Sequence, residues 1–251
     1  MSDVTLKSFA ALHHDYAFFE EHVNETEATL KAWLPLVQGR WEAPTVLDFG
    51  AGSGSFSSVF LEAADLGPAM ELHLIEPDPG FLQQALRNLH PYRPQARPLL
   101  EQDLPPTYDL IFSHHVLYYV TDLKATLRRL YGALKPGGRL LIVQGGRGNG
   151  MNSIVFAAFD HLGRKSPYHY SEDTAPLLKE LEIPHRVELV RSLLNFPDSR
   201  EGRLAILRFL LSEHLAELPL ETALSWFEPF LAEGRIRIPS ADELFVVEKS
   251  V

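Results

Sequence analysis

From residue 44 onward, short apolar runs alternate with helical periods, the signature of strand-helix-strand units around a parallel sheet. The runs 45–49, 71–75, 96–100, 109–113 and 139–143 predict five strands. Between them, Phe56, Val59, Phe60 and Ala63 predict one helix face, stopped by Leu66-Gly67-Pro68. Leu123, Leu127, Leu130 and Leu134 predict another, capped by Thr121-Asp122 and closed by Lys135-Pro136-Gly137-Gly138. Ahead of the sheet, Phe9, Leu12, Tyr16, Phe19 and Val23 recur at helical spacing, and Leu30, Leu34 and Val37 mark a second helix with Pro35 inside it. Beyond residue 144 the glycine-rich stretch 145–150 reads as an irregular loop. Helices at 153–162 and 171–181, an alternating sixth strand at 187–193, and helices at 201–215 and 220–232 follow, the last with Leu224, Phe227 and Leu231 on one face. A final strand spans 242–248. No repeat or linker interrupts the chain, which predicts one domain over 1–251: a helical cover at 1–43, a cofactor-binding half at 44–144, and substrate-side helices with the last two strands at 145–251.

The first strand, Val46-Leu47-Asp48-Phe49, breaks into Gly50, Gly52 and Gly54 before a helix begins. Glycine lets the backbone turn tightly and a ligand approach the main chain, while the helix presents its unpaired N–H groups. That combination points to a nucleotide-type cofactor. The dinucleotide fingerprint is G-x-G-x-x-G, whose third glycine packs helix on strand beneath a pyrophosphate. Here the spacing is G-x-G-x-G, which favours a cofactor without a pyrophosphate and leaves an NAD-dependent oxidoreductase as the competing enzyme reading. Glu76 ends the second strand, where a carboxylate can accept both hydroxyls of a ribose; Asp78 is the better helix cap. Asp103, after the third strand, is a candidate acceptor for an adenine amino group. The run 108–120 passes from strand to loop and carries Ser113, His114, His115, Tyr118 and Tyr119 toward the reactive end of the cofactor. Aromatic faces there attract a sulfonium as they attract ammonium.

Composition narrows the partners. The 251 residues are 45% apolar, enough for a sizeable core, and the net charge of −10 disfavours a nucleic-acid partner. Cysteine is absent, which excludes thiolate catalysis, disulfides and cysteine-ligated metals, and the histidines and carboxylates show no metal-ligand spacing. Without a signal-like apolar segment or an apolar run of membrane length, the expectation is a soluble cytoplasmic protein with no membrane partner.

Taken together, these motifs resemble the class I S-adenosylmethionine-dependent methyltransferases: Leu47 to Gly54, Glu76, the strand at 109–113, and Leu134-Lys135-Pro136-Gly137-Gly138-Arg139-Leu140. The resemblance implies an α/β, doubly wound, Rossmann-like seven-stranded sheet. Its order is 3-2-1-4-5-7-6, mostly parallel with the last strand antiparallel, with N-terminal and C-terminal helical additions. It implies S-adenosyl-L-methionine as cofactor, S-adenosyl-L-homocysteine as product and no metal. The implied cofactor shell is Tyr16, Asp48, Gly50, Gly52, Gly54, Glu76, Pro77, Asp103, Leu104, Ser113 and His114.

A narrower resemblance, to histamine N-methyltransferase and its relatives, rests on Val116 to Leu127 and on the N-terminal helices with Asn24-Glu25-Thr26-Glu27. It implies Glu27 as the amine-binding carboxylate. His115 replaces that group's loop glutamine, and its late substrate asparagine has no counterpart near Ala241-Asp242. The expected reaction is methyl transfer to a nitrogen of a small amine or imidazole, with His115 or Glu27 taking a proton and Tyr118 and Tyr119 shaping the pocket. Two rivals stand beside it. One is O-methylation of a carboxylate or hydroxyl, for which Arg147 or Arg164 would serve a carboxylate; the other is a non-catalytic S-adenosylmethionine-binding protein that keeps the cofactor fold, against which intact Gly50, Gly52, Gly54 and Glu76 argue. A small-molecule acceptor and a monomer or weak dimer complete the expectation.

Overall fold

The computed structural model describes residues 13–91, 95–100, 104–105 and 107–250; Phe9, Leu12 and Asp103 lie outside them. Helices α1 (His13–His22) and α2 (Glu25–Val37) precede β1 (Thr45–Phe49), α3 (Ser55–Ala64), β2 (Glu71–Ile75), α4 (Pro79–Leu89) and β3 (Arg97–Pro98). Then come β4 (Tyr108–His114), α5 (Leu123–Ala133), β5 (Leu134–Gly145), α6 (Gly150–His161) and α7 (Ser171–Glu180). The chain continues through β6 (His185–Pro197), α8 (Arg200–Leu211), α9 (Leu220–Ser225), β7 (Leu231–Ala232) and β8 (Arg235–Glu248).

The sheet order is β3-β2-β1-β4-β5-β8-β6, with β7 paired to β8 outside that path. Strands β3 to β2, β2 to β1, β1 to β4 and β4 to β5 pair in parallel. Lys249 follows β8 and donates its N–H to Gly138 O near the start of β5 (3.0 Å), so β8 runs against the parallel set. This is the expected doubly wound order, with the two-residue β7 added.

Several boundaries differ from the sequence pattern for identifiable reasons. Strand β8 starts seven residues early, because Ile236, Ile238, Ser240 and Asp242 already alternate inward after the left-handed turn at Gly234. The segment 220–232 is not one helix. Pro229 removes an N–H, and a 3₁₀ turn (Glu228–Phe230) and β7 follow, which leaves Leu231 exposed. The buried face of α3 is Ser57, Phe60, Leu61 and Ala64, while Val59 faces solvent. Gly150 is helical, because Asn149 caps α6 by accepting from Met151 N (2.8 Å) and Asn152 N (3.1 Å).

The chain divides into two compact units. One comprises Met1–Ala28, Gly145–Tyr168 and Arg191–Asp242. Its core joins Phe19, Ile154, Phe159, Phe196, Ile206 and Phe227, and Arg208 forks onto the Asp15 carboxylate at 2.7–3.0 Å. The other comprises Thr29–Gln144, His169–Val190 and Glu243–Val251, with Leu47, Ile111, Leu127, Leu140, Leu178 and Phe245 among its core residues.

Within this second unit, polar groups fasten the starts of the parallel strands. Asp109 accepts from Thr45 N (2.8 Å) and from Lys135 Nζ (2.7 Å), and Glu248 receives Arg139 (2.6 Å) and Arg40 (2.5 Å). A Cβ on Gly138 would stand 2.8 Å from Tyr108 O, which is why a glycine occupies that crossing. Lys135-Pro136-Gly137-Gly138 therefore serves strand assembly at the end of the sheet away from the glycine loop.

Candidate functional site

The ends of β1, β2 and β4 bring three loops together in the second unit. Gly50 N and Ala51 N donate to Ile75 O at 2.8 and 3.0 Å, and Gly52 N donates to Glu76 Oε2 at 2.9 Å. The other Glu76 oxygen accepts from Asp78 N (2.9 Å), so one carboxylate clasps both loops. A carboxylate has about four acceptor sites, which leaves Glu76 able to accept further hydroxyls. Burial pushes its carboxyl above the usual range, against the pull of the Asp78 and Gly52 amides. Asp78 itself accepts from Gly80 N and Phe81 N and caps α4, as its position after the second strand indicates.

The three glycines have different tasks. All have positive φ: 85° at Gly50, 55° at Gly52 and 77° at Gly54. A Cβ on Gly50 would lie 2.3 Å from Val116 Cγ1, and one on Gly54 2.9 Å from Ala85 Cα of α4. Only Gly52 has nothing within 4 Å of that position. Gly50 and Gly54 thus let protein approach protein, whereas Gly52 leaves open space beside the main chain.

Asp48 is buried at the end of β1, where Ser57 Oγ donates to it. Burial is the main reason its carboxyl rises from 3.8 to about 7. Its proximity to the glycines in sequence suggests a ligand contact, but its partner is a serine of α3. Between about pH 4 and pH 7 the folded protein keeps a proton that the unfolded chain has released, so this group's contribution to stability falls as pH rises through that window. Asp48→Asn is expected to flatten that part of the stability-pH curve in urea unfolding. An unchanged slope would assign the proton to another group.

At the end of β4, His114 stacks on Phe56 (3.8 Å between centroids, 4° between planes), with its Nε2 3.3 Å from Thr29 Oγ1. His115 takes a left-handed backbone, φ 57°, uncommon outside glycine, and donates its N–H to Val143 O (3.0 Å). Its Nδ1 shares a 3.1 Å hydrogen bond with Tyr118 OH, and the two rings lie nearly parallel at 6.0 Å. Tyr119 meets Tyr118 edge-on at 5.7 Å. A polar relay fixes this loop from behind: Thr174 Oγ1 donates to Gln144 Oε1 (2.5 Å), Gln144 Nε2 to His169 O (3.0 Å), and His169 N to Tyr118 O (3.1 Å). Gln144 is fully buried, and its polar side chain at the end of Leu140-Leu141-Ile142-Val143 is the sequence signal for it.

The remaining expected residues are dispersed. Ser113 is fully buried in β4, Leu104 packs against the second unit's core, and Pro77 is exposed. Tyr16 lies in the first unit, packed on Phe209 (5.6 Å) with its hydroxyl bonded to Glu20. On α2, the buried positions Glu25, Thr29, Trp33 and Val37 recur every fourth residue, and Glu27 falls off that stripe into solvent. Sequence reasoning singled out neither Val116, which closes over Gly50, nor Asn88, whose Nδ2 donates to Ser53 O (2.9 Å).

Residues 47–140 match the family model described as a methyltransferase domain. A putative methyltransferase from Bacillus halodurans C-125 superposes with a TM-score of 0.58 at 16% identity, over 88% of this chain and 98% of that one. Phosphoethanolamine N-methyltransferase 2 of Haemonchus contortus, in complex with S-adenosyl-L-methionine, gives 0.56 at 19% identity over 89% and 52%. Residues 47–140 thus match a methyltransferase-domain model, and the fold is the Rossmann-like one of these solved structures. Its sequence is similar to histamine N-methyltransferase of Mus musculus, 30% identical over 106 residues, 41% of this chain and 36% of that protein. It is also similar to the highly reducing polyketide synthase easB of Emericella nidulans, 27% identical over 179 residues, 64% of this chain and 7% of the synthase. The chain thus spans well under two thirds of either relative. Among the described residues no helix is long and apolar enough to cross a membrane.

Proposed function

We propose that this chain transfers a methyl group from S-adenosylmethionine to a nitrogen of a small amine or imidazole. The observation that carries the reading is the contact between the glycine loop and the aromatic-imidazole loop after β4, made where Val116 seals Gly50. The residues fit the cofactor: Gly52 leaves a Cβ-sized opening at the main chain, and Glu76 beside it retains acceptor sites for ribose hydroxyls. When bound, S-adenosylmethionine supplies an electrophilic methyl group and leaves as S-adenosylhomocysteine. Tyr118 and Tyr119 supply aromatic faces that favour a cationic centre over water. His115 takes the proton that the acceptor nitrogen must lose, with Tyr118 OH fixing its ring.

The rival carboxylate acceptor needs a cation, and both candidates have other partners. Arg164 donates to Glu217 (2.8 Å), and the Arg147 guanidinium lies 4.9 Å from the Phe156 ring. Their engagement supports the amine. The similarity to histamine N-methyltransferase supports it as well, while the similarity to a polyketide synthase keeps acyl thioesters in the screen.

A panel of amines, imidazoles, small acids and β-ketoacyl thioesters tests this by release of S-adenosylhomocysteine, with binding of S-adenosylhomocysteine and NAD compared by calorimetry. Turnover confined to acids or thioesters overturns the nitrogen acceptor, and binding of NAD alone overturns the cofactor. The amine-binding carboxylate is assigned by comparing Glu27→Gln with Glu25→Gln. The responsible residue is expected to raise the amine KM about tenfold or more, the loss of a charge-assisted hydrogen bond, while S-adenosylhomocysteine affinity stays unchanged.

A further inference from the structure

Strand β6 lies at one end of the sheet order. Its later half is met by Val23, which forms an isolated antiparallel bridge with Leu194, and by Asn24, whose N–H donates to Leu193 O (3.3 Å). Its first half, His185 to Val190, has a strand neighbour on the β8 side only, among the described residues. There Arg186, Val187, Glu188 and Leu189 are all exposed, Val187 at 45% and Leu189 at 54%. Natural edge strands usually carry a proline, a bulge or an inward-pointing charge that blocks further pairing. Residues 185–190 have no proline, and the adjoining Pro184 lies outside the strand.

The charges select one occupant and one register. A second copy of the same edge, pairing antiparallel about a two-fold axis at Val187, sets Arg186 opposite the partner copy's Glu188, and Glu188 opposite its Arg186. Val187 then meets its own counterpart, and His185 meets Leu189. Moving the axis one residue either way places Arg186 or Glu188 opposite itself, a repulsive like-charge pair. A two-fold axis through a residue closes a ladder whether that residue forms the hydrogen-bonded or the non-hydrogen-bonded pair. Arg186 Nε already lies 2.9 Å from Glu188 Oε1 within one chain, so two copies would build an alternating four-charge ladder above the apolar Val187 and Leu189.

We propose that two copies of this chain associate through residues 185–190 of β6, in antiparallel register centred on Val187, and so extend the sheet from one protomer to the next. The surface requires neither a cofactor nor the methyl acceptor.

Sedimentation velocity over a micromolar to millimolar series tests the proposal on the full chain. The wild type is expected to dimerise within that range. Arg186→Glu should weaken dimerisation at least tenfold, because it sets a second carboxylate opposite Glu188, and the exchange R186E/E188R should restore it. Val187→Lys should abolish it. Circular dichroism and S-adenosylhomocysteine binding show that the variants are folded. A wild type that stays monomeric throughout overturns the proposal. So does a dimer that Arg186→Glu leaves intact, and so does a double exchange that fails to restore association.

Discussion

Glu76→Ala is expected to weaken S-adenosylhomocysteine binding by about 1–3 kcal/mol, roughly five- to 150-fold, with isothermal titration calorimetry as the measurement. The size follows from what the carboxylate holds. Its two oxygens accept from Gly52 N and Asp78 N, so truncation leaves two amides without their acceptor and takes the ribose acceptor away with them. Glu76→Gln replaces one acceptor oxygen by an NH₂ that faces a backbone donor, and it should fall between wild type and alanine. Because burial raises the carboxyl's pKa, cofactor affinity that depends on the ionised form should improve as pH rises through the titration of Glu76. Affinity unchanged in both variants would move the ribose to another residue.

Gly50→Ala is expected to cost about 2–4 kcal/mol of stability, a sum of the left-handed penalty for a Cβ and the overpacking against Val116. Urea unfolding of Gly50→Ala, Val116→Ala and the double variant forms a cycle that separates the two costs. The double variant should recover the part of the packing cost set by the Val116 γ-methyl groups, because the Cβ at position 116 would still stand 2.8 Å away, and should retain the backbone part. Purely additive losses would show that Val116 is not the obstacle. Gly52→Ala makes the contrast: its Cβ meets nothing within 4 Å, so its stability loss should stay near ~1 kcal/mol while cofactor affinity falls further.

The sequence was most informative where local chemistry decides the outcome. Strands β1 and β2 have their expected limits because their short apolar-rich runs stop at Gly50 and at Glu76-Pro77. The caps Asp78 and Asp122 were readable because a short side chain ahead of a helix has few other uses. Tertiary partners were harder to read. Only the packing of α3 shows that Asp48 accepts a hydrogen bond from Ser57. The division of labour among the three glycines depends on Val116 and Ala85, each distant in sequence, and no spacing reveals it. Helix phase misled at α2: Leu30, Leu34 and Val37 set one stripe, but Trp33 and Val37 continue back through Thr29 to Glu25 and leave Glu27 outside. The alternation Ile236, Ile238, Ser240 was present in the sequence but lay hidden among arginines and a proline.

The polar clasp at the starts of the parallel strands has an evolutionary consequence. Asp109, Lys135, Arg139, Glu248 and Arg40 hold the sheet at the end opposite the glycine loop, and none of them takes part in the contacts that prepare Gly52 and Glu76. Substitutions at the two ends should therefore behave as independent variables. Acceptor preference can drift in the loops while the clasp maintains the folded population, so a lineage could exchange one substrate for another without passing through an unfolded ancestor.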